Sequence, residues 1–556
     1  MPDRGRGQAR QPKPHFKQQR NFGVKPVRGQ PFPSARPPKH ARTHHELDPR
    51  KLAFSVLSRL PQGDLLEPAV ITELRQQHHD VGVAHRILPM LEDATRFANL
   101  FDALIAHVSS RPPEKLDRDV RAALHLFLAW YLLDDPKSVY AHGQAAVNLM
   151  REDSPSRGFV NACVRRLGEF VHAEEGLPPK GTLPVSTGTP EGQQIRKTVE
   201  PEAVQTKERE SHSVDAGTVP KGGDSPLFWR ERARLGRGRY VVAKLPIFPD
   251  PAKDLAGHLA TVCALPRWFI DKLLDQHGPQ GAIAVALASI EEPPTWVRAN
   301  RLRTTAAELR ARWQINDADT EVVGDALRVP RGQSVVALPG FDAGLFYVQD
   351  LTSQRIAPAL GAKAGEAVLD LCAAPGGKAS HVAELTGDRA KVLACDVGED
   401  KIERIQQNIA RMGYTNLATV IADARSVRFP EKFDRVLIDA PCSNSGVLGR
   451  RVEARHRLND KALSELVRTQ MAILENAARN VKPGGTIVYS VCSVLMEEGV
   501  DVVRWFLSAQ VSDNEPGSDN TGMQREEAGW EMKQEQIVLP APGYSDGMYW
   551  AVIAAP

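Results

Sequence analysis

The sequence predicts a multidomain fold: an all-α N-terminal unit, a small α+β middle unit and a C-terminal α/β unit built on a parallel sheet. Three observations predict it. At roughly 100–200 residues per domain, a chain of 556 residues holds several folded units. Between residues 48 and 173 the apolar side chains recur at helical spacing. Beyond residue 346, short β-rich runs alternate with helical patterns, and that order produces a parallel sheet covered on both faces.

The elements follow in order. Residues 1–50 carry 12 Lys/Arg, 3 Asp/Glu and nine prolines, with no sustained apolar period. Such a segment buries too little surface to offset its ordering entropy, so residues 1–47 are expected to be a disordered basic tail. The tail suits weak contacts to RNA phosphates and bases, or simple solubilisation. Asp48-Pro49 reads as an N-cap with proline in the first turn. Leu52, Val56, Leu57 and Leu60 then line one helix face, and Leu124, Phe127, Leu128 and Tyr131 line another. Val139 to Leu167 offers two further helices around the breaker Asp153-Ser154-Pro155. Residues 174–225, rich in Gly and Pro and free of Phe, Trp and Tyr, read as a disordered linker. Within the α+β unit, 226–345, the patterns place helices over Pro266–Gln276 and Thr305–Trp313 and strands over Thr295–Arg298 and Glu321–Val323. The last unit, 346–556, contains strand-like runs at Ala367–Leu371, Lys391–Cys395, Ala418–Ala422, Val436–Asp439 and Thr486–Ser490. Helical patterns at Lys401–Met412 and Lys461–Val481 lie between them, and residues 510–529 form a polar, flexible insertion.

Composition narrows the function classes. With 42% hydrophobic and 25% charged residues the chain is neither fibrous nor membrane-embedded. No apolar run approaches the roughly 18 residues of a membrane helix, and the N-terminus lacks the apolar core of a secretory signal. Six cysteines without CxxC spacing suggest neither a disulfide framework nor a zinc site. A cytoplasmic, monomeric protein without a metal is expected.

In a parallel sheet, ligands sit at the carboxyl ends of the strands. After the first run come Asp370-Leu371-Cys372-Ala373-Ala374-Pro375-Gly376-Gly377-Lys378, small residues that let a ligand approach the backbone. Neither the dinucleotide GxGxxG pattern nor a P-loop is present. Asp396, Asp423 and Asp439 end the next three runs. Asp439-Ala440-Pro441-Cys442 and Tyr489-Ser490-Val491-Cys492-Ser493 place two cysteines at strand ends. One acid there is commonly a turn or cap residue; four acids and two cysteines together indicate a site.

These segments resemble the motifs of RNA (cytosine-5) methyltransferases, and more closely those of the bacterial Sun/Fmu (RsmB-like) ribosomal RNA enzymes. Gly158-Phe159-Val160-Asn161-Ala162, Arg298-Ala299-Asn300, Phe346-Tyr347-Val348-Gln349-Asp350 and Ser545-Asp546-Gly547-Met548-Tyr549 fit as well. The resemblance implies an N-terminal NusB-like RNA-binding domain and a C-terminal Rossmann-like class I methyltransferase domain. It also implies S-adenosyl-L-methionine as cofactor, held by Cys372, Ala373, Ala374, Pro375, Gly376, Gly377 and Lys378. Asp396 would take the ribose, Asp423 would lie near the adenine, and Asp439 near the methionine portion and the cytosine edge.

Carbon 5 of cytosine is a poor nucleophile until a thiolate adds to carbon 6, and a thiolate needs surroundings that lower its pKa. Cys442, in a Pro-Cys pair, and Cys492 are both candidates. By resemblance to the RNA enzymes, Cys492 is the nucleophile and Cys442 assists product release. Lys378 would orient Asp439 or the thiolate. Three positions depart from the family pattern: Val491 for Thr, Asn444 for Gly and Met496 for Pro. Arg450, Arg451, Arg455 and Arg457 follow the Pro-Cys loop and are expected to bind RNA phosphates, with His456 a surface neighbour and no catalyst. The expected reaction is carbon-5 methylation of a cytosine in ribosomal RNA, of the small subunit. The alternatives are the same chemistry on transfer RNA or another RNA, or a non-catalytic RNA-binding assembly factor.

Overall fold

The computed structural model describes residues 48–60, 64–77, 79–175, 230–236, 238–315, 320–509 and 529–556. The expected basic tail, almost all of the expected linker and most of the 510–529 insertion lie outside the described residues.

Among the described residues seven α-helices come first: α1 (Pro49–Arg59), α2 (Leu66–Gln76), α3 (Leu88–Arg96), α4 (Ala98–Val108), α5 (Arg118–Ala129), α6 (Val139–Leu149) and α7 (Arg157–Phe170). Asp48 caps α1 by accepting from the Arg50 N–H, with Pro49 in the first turn. Helix α5 is central; Leu124, Leu126, Phe127 and Leu128 are fully buried, so its apolar surface wraps all round and its neighbours pack on every side. The helical unit ends in a strand, β1 (Val171–Glu175), which pairs antiparallel with β3 (Arg239–Ala243), itself paired with β2 (Arg232–Gly236).

Helix α8 (Leu255–Val262) precedes α9 (Arg267–Ile290). The helix expected over Pro266–Gln276 is only the first half of α9. Gly278, at φ 67°, breaks it before Pro279, and the buried second half continues to Ile290. A four-stranded antiparallel sheet follows in the order β5-β6-β4-β7, from β4 (Trp296–Ala299), β5 (Val322–Val323), β6 (Ala326–Arg328) and β7 (Phe346–Val348). Helix α10 (Ala306–Trp313) carries a capping box between Thr305 and Glu308. Because β7 pairs with β4, the boundary expected at residue 346 cuts through this sheet and has to move past Val348.

The last unit is a seven-stranded sheet ordered β10-β9-β8-β11-β12-β14-β13. Its members are β8 (Ala367–Asp370), β9 (Lys391–Asp396), β10 (Leu417–Ile421), β11 (Phe433–Asp439), β12 (Val481–Val491), β13 (Glu531–Val538) and β14 (Met548–Ala554). The first five are parallel; β14 pairs antiparallel with β12, and β13 antiparallel with β14. Val436, Leu437 and Ile438 are wholly buried, as strands covered on both faces must be. The covering helices are α11 (Ile356–Leu360), α12 (Gly377–Leu385), α13 (Glu399–Met412), α14 (Asp460–Asn480) and α15 (Val500–Ser508). Chain order reverses between β8 and β11, which opens a crevice at their carboxyl ends.

Candidate active site

The crevice is a cleft of about 300 Å³ whose walls include Asp370, Cys372, Ala373, Ala374, Pro375, Gly377, Lys378, Asp439, Arg450 and Cys492. Loops after three different strands therefore meet there. The turn after β8 is tight: Gly376 sits at φ 100°, and a Cβ on Gly377 would come within 3.0 Å of the Tyr347 ring.

Six charged residues line the cleft: Asp350, Asp370, Lys378, Asp439, Arg450 and Asp546. Lys378 Nζ donates to Asp439 Oδ2 at 2.5 Å. Asp370 is buried beside them, and neither carboxylate oxygen has a full hydrogen-bond partner. Burial, and then the charge of Asp439, push its pKa up to about 7. An unpartnered buried carboxylate facing a cleft fits a cationic ligand. The α-ammonium and sulfonium of S-adenosylmethionine are such cations, and the small residues 372–377 leave room for it. Across the cleft mouth Arg450 donates to Asp546 Oδ2 at 3.0 Å and to the Pro294 carbonyl at 3.1 Å.

The two cysteines come together. Cys442 Sγ and Cys492 Sγ lie 3.1 Å apart, and Cys492 Sγ also donates to Asn444 Oδ1 at 3.2 Å. The hydrogen bond with Cys492, together with burial, holds the Cys442 thiol well above its ordinary pKa. Cys372 also lies at the cleft, but burial and then the neighbouring acids Asp370, Asp396 and Asp439 keep it protonated. Cys163, Cys263 and Cys395 are buried. Position and neighbourhood thus single out 442 and 492.

Beneath the sulfurs lies Glu498, fully buried and absent from the sequence reading. Its Oε1 accepts from the Ser443 N–H at 2.8 Å and from Gln470 Nε2 at 3.0 Å. Its Oε2 accepts from the hydroxyls of Ser443 and Ser493, each at 2.5 Å. One carboxylate thereby ties together the residues that follow both cysteines. An acid in a loop carries no periodicity, so only the neighbouring Cys-Ser pairs hinted at it.

Other expected residues fall elsewhere. Asp396 and Asp423 are not among the walls of the cleft. Asp396 accepts from the Ala374 N–H at 3.0 Å and from Lys401 Nζ at 2.9 Å, which braces the loop after β8. Asp423 is clamped by Arg425, whose guanidinium lowers its pKa.

The arginine run divides. Arg451 and Arg457 are exposed. Arg455 corrects the expectation of phosphate binding, since it is 1% exposed. It donates to the carbonyls of Arg96 at 2.5 Å, Ser289 at 2.8 Å and Val452 at 2.9 Å, so it fastens three parts of the chain together. His456 is half-buried. Burial, and next the charge of Arg455, push its pKa down to about 4, which keeps it neutral. Among the described residues no cluster of metal-ligating side chains exists, and no helix is long and apolar enough to cross a membrane.

Two family models match the chain. That of the 16S rRNA methyltransferase RsmB/F covers residues 357–554, and that of the RsmF/B-like ferredoxin-like domain covers 265–336. The ribosomal RNA small subunit methyltransferase B of Enterobacter sp. (strain 638) is 36% identical over 248 residues, 44% of this chain and 57% of that protein. Its counterpart in Klebsiella pneumoniae (strain 342) is 35% identical over 297 residues, 51% of this chain and 65% of that protein. The matches to these curated relatives thus span about three fifths of their length. The crystal structure of PH0851 shares the fold, with a TM-score of 0.58 and 22% identity, over 91% of this chain and 99% of that one. Helical unit, ferredoxin-like middle domain and α/β sheet follow one another along the chain, and its segments 265–336 and 357–554 match the RsmB/F methyltransferase family, whose methyl donor is S-adenosylmethionine.

Proposed function

We propose that the chain methylates carbon 5 of a cytosine in ribosomal RNA, of the small subunit, through a covalent bond from Cys492 to carbon 6. The observation that carries this reading is the pair of sulfurs 3.1 Å apart at a cleft that also holds the Lys378–Asp439 pair. S-adenosylmethionine supplies an electrophilic methyl group on a sulfonium.

The chain supplies the rest. Cys492, as thiolate, adds to carbon 6 and makes carbon 5 electron-rich. Asp439 accepts a hydrogen bond from the cytosine's amino edge, and Lys378 holds that carboxylate in place. After methyl transfer the proton on carbon 5 has to leave. Cys442, having released its own thiol proton to water, takes it. The electron pair of that C–H bond restores the ring double bond and expels Cys492 as thiolate. The hydrogen bond with Cys492 that raises the Cys442 pKa is lost once Cys492 is joined to carbon 6, which lets Cys442 ionise more readily at this step. The Cys372–Lys378 segment encloses the cofactor, with Asp396 at the ribose and Asp423 near the adenine once ligand is bound. The helices of residues 48–173 serve as a NusB-like RNA-binding domain, and Arg450, Arg451 and Arg457 face phosphates. The names of the curated relatives favour ribosomal over transfer RNA.

Bisulfite sequencing of total RNA from cells with and without the gene tests the reaction and its substrate together. Loss of one protected cytosine in small-subunit RNA is expected; loss in transfer RNA instead would keep the chemistry and replace the substrate. The purified Cys492→Ala protein should bind cofactor yet transfer no methyl group. Cys442→Ala should accumulate a denaturant-resistant protein–RNA adduct. Near-normal turnover by either variant would overturn its assignment.

A further inference from the structure

The paired sulfurs have two open sides. Cys492 faces the cofactor cleft, whereas Cys442 lines a second cleft of about 370 Å³. One wall of that second cleft is the backbone turn Cys442-Ser443-Asn444, and the other is the half-buried indole of Trp268. Leu458, Leu463 and Leu495 form an apolar floor, each 7% exposed or less. Trp268 packs edge-to-face with Phe269, ring centroids 6.1 Å apart, and Lys272 Nζ lies over its ring at 6.0 Å from the centroid. At the rim stands Arg457, exposed, with no ion pair or hydrogen bond to its guanidinium among the described residues.

We propose that this second cleft is a binding subsite for the nucleotide next to the target cytosine, its base stacked on Trp268 and its phosphate at Arg457. The inference rests on the RNA reading above and adds a place for the strand. Attack on carbon 6 comes at the face of the ring, so the cytosine must leave its stack, and its neighbour then loses a stacking partner. An aromatic wall replaces that partner and tolerates any base, because every base has a π-face. The two sulfurs are 3.1 Å apart and line different clefts, so a strand that puts a cytosine at Cys492 would bring its next nucleotide within reach of the cleft on the Cys442 side. The volume, the apolar floor, the indole wall and the Arg457 guanidinium match a base with its phosphate, the one carboxylate on the same lining being Glu465.

The test uses the full-length protein and a small-subunit RNA fragment that the wild type methylates. It compares that fragment with versions carrying an abasic site on either side of the target. Trp268→Ala should raise KM for RNA by about tenfold, the lower end for loss of a base–aromatic stack, with kcat and cofactor affinity unchanged. Trp268→Phe should recover most of the loss, which a merely structural role would not predict. One abasic flank should cost the wild type the same factor and cost Trp268→Ala nothing further. Arg457→Ala, at an exposed side chain, should lower the salt dependence of RNA binding by about one counterion. Unchanged KM in Trp268→Ala, or losses from variant and abasic site that multiply, would overturn the subsite while leaving the reaction intact. A wild-type protein that methylates no RNA would overturn the reaction as well.

Discussion

Helix α12 carries two ion pairs, one near each end, and they differ in burial, in how many partners they have and in which charge the helix supplies. Near its start Lys378 meets Asp439, whose side chain is 32% exposed at the cleft. Near its end Glu384 meets Arg298 of β4, with both side chains 0% exposed. Arg298 is saturated. It donates to Glu384 Oε2 at 2.9 Å and Oε1 at 2.8 Å, to the Gly377 carbonyl at 3.0 Å and to Ser380 at 3.2 Å, with Gln349 as a further acceptor. Tyr414 OH adds a donor to Glu384 at 2.5 Å. Asp439, by contrast, has room for more partners, with only Ser490 Oγ at 3.3 Å beside its lysine. A closed network of this kind fixes how the middle sheet sits on the methyltransferase sheet. An open pair keeps bonding capacity for a substrate.

If that contrast is right, the two pairs fail differently. Glu384→Ala strands a buried guanidinium, and breaking such a pair costs about 3–5 kcal/mol. Urea unfolding should register that loss as a lower midpoint, while methyl transfer per folded molecule stays near normal. Lys378→Met should do the reverse. The partner it leaves behind, Asp439, is 32% exposed and can be hydrated at the cleft, so the stability loss should be the smaller one, about 1 kcal/mol. The rate should fall by about a hundredfold, as when one preorganised group at a reacting centre is removed. Equal effects of the two variants on stability, seen in the same urea titration, would erase the distinction.

Asp370 sharpens the comparison, since it is a charge site within reach of the open pair and has no cation of its own. Burial raises its pKa from 3.8 to about 7 in the folded protein. The sign follows by linkage: its contribution to stability is fullest below 3.8 and fades as pH rises toward about 7, because the unfolded chain ionises first. A cationic ligand binds the ionised form better. Affinity for S-adenosylmethionine should therefore rise from about pH 6 to about pH 8, and Asp370→Asn should flatten that slope. Calorimetric titrations across the range read both, and an equal slope in the variant would exclude Asp370 as the source.

Much of this architecture was legible because it repeats. The five parallel strands lie within a few residues of the runs read from the sequence, since buried parallel strands are continuous apolar stretches. Lys378, Asp439, Cys442 and Cys492 were legible as strand-end residues and do converge. What was not legible depends on three-dimensional partners. Arg455 stands in a basic loop just as Arg451 and Arg457 do, yet it is the one whose guanidinium meets carbonyls from Arg96 and Ser289. Glu498 looked like any loop acid. Arg298 and Gln349 were read as parts of two matching segments without a role; their bond to each other and to α12 appears only when the sheets pack.

The smallest predicted effect concerns the residue that departs from the family pattern beside the nucleophile. Asn444 occupies a left-handed conformation, φ 61°, that a glycine adopts without strain. Its amide nitrogen donates to the Cys442 carbonyl at 3.1 Å, which fixes the amide so that its oxygen, not its nitrogen, faces Cys492 at 3.2 Å. An oxygen can accept from the thiol, so in this arrangement the side chain holds the Cys492 sulfur in place and restricts access to it. Asn444→Gly removes that acceptor and relieves the backbone together. Alkylation of Cys492 by iodoacetamide at fixed neutral pH, followed by peptide mass spectrometry, should then speed up by about two- to tenfold, with no loss of stability. A slower reaction would mean that the amide turns its nitrogen toward the sulfur when the thiolate forms. The asparagine would then be supporting ionisation, and the contrast between open and closed partners would extend to the thiol itself.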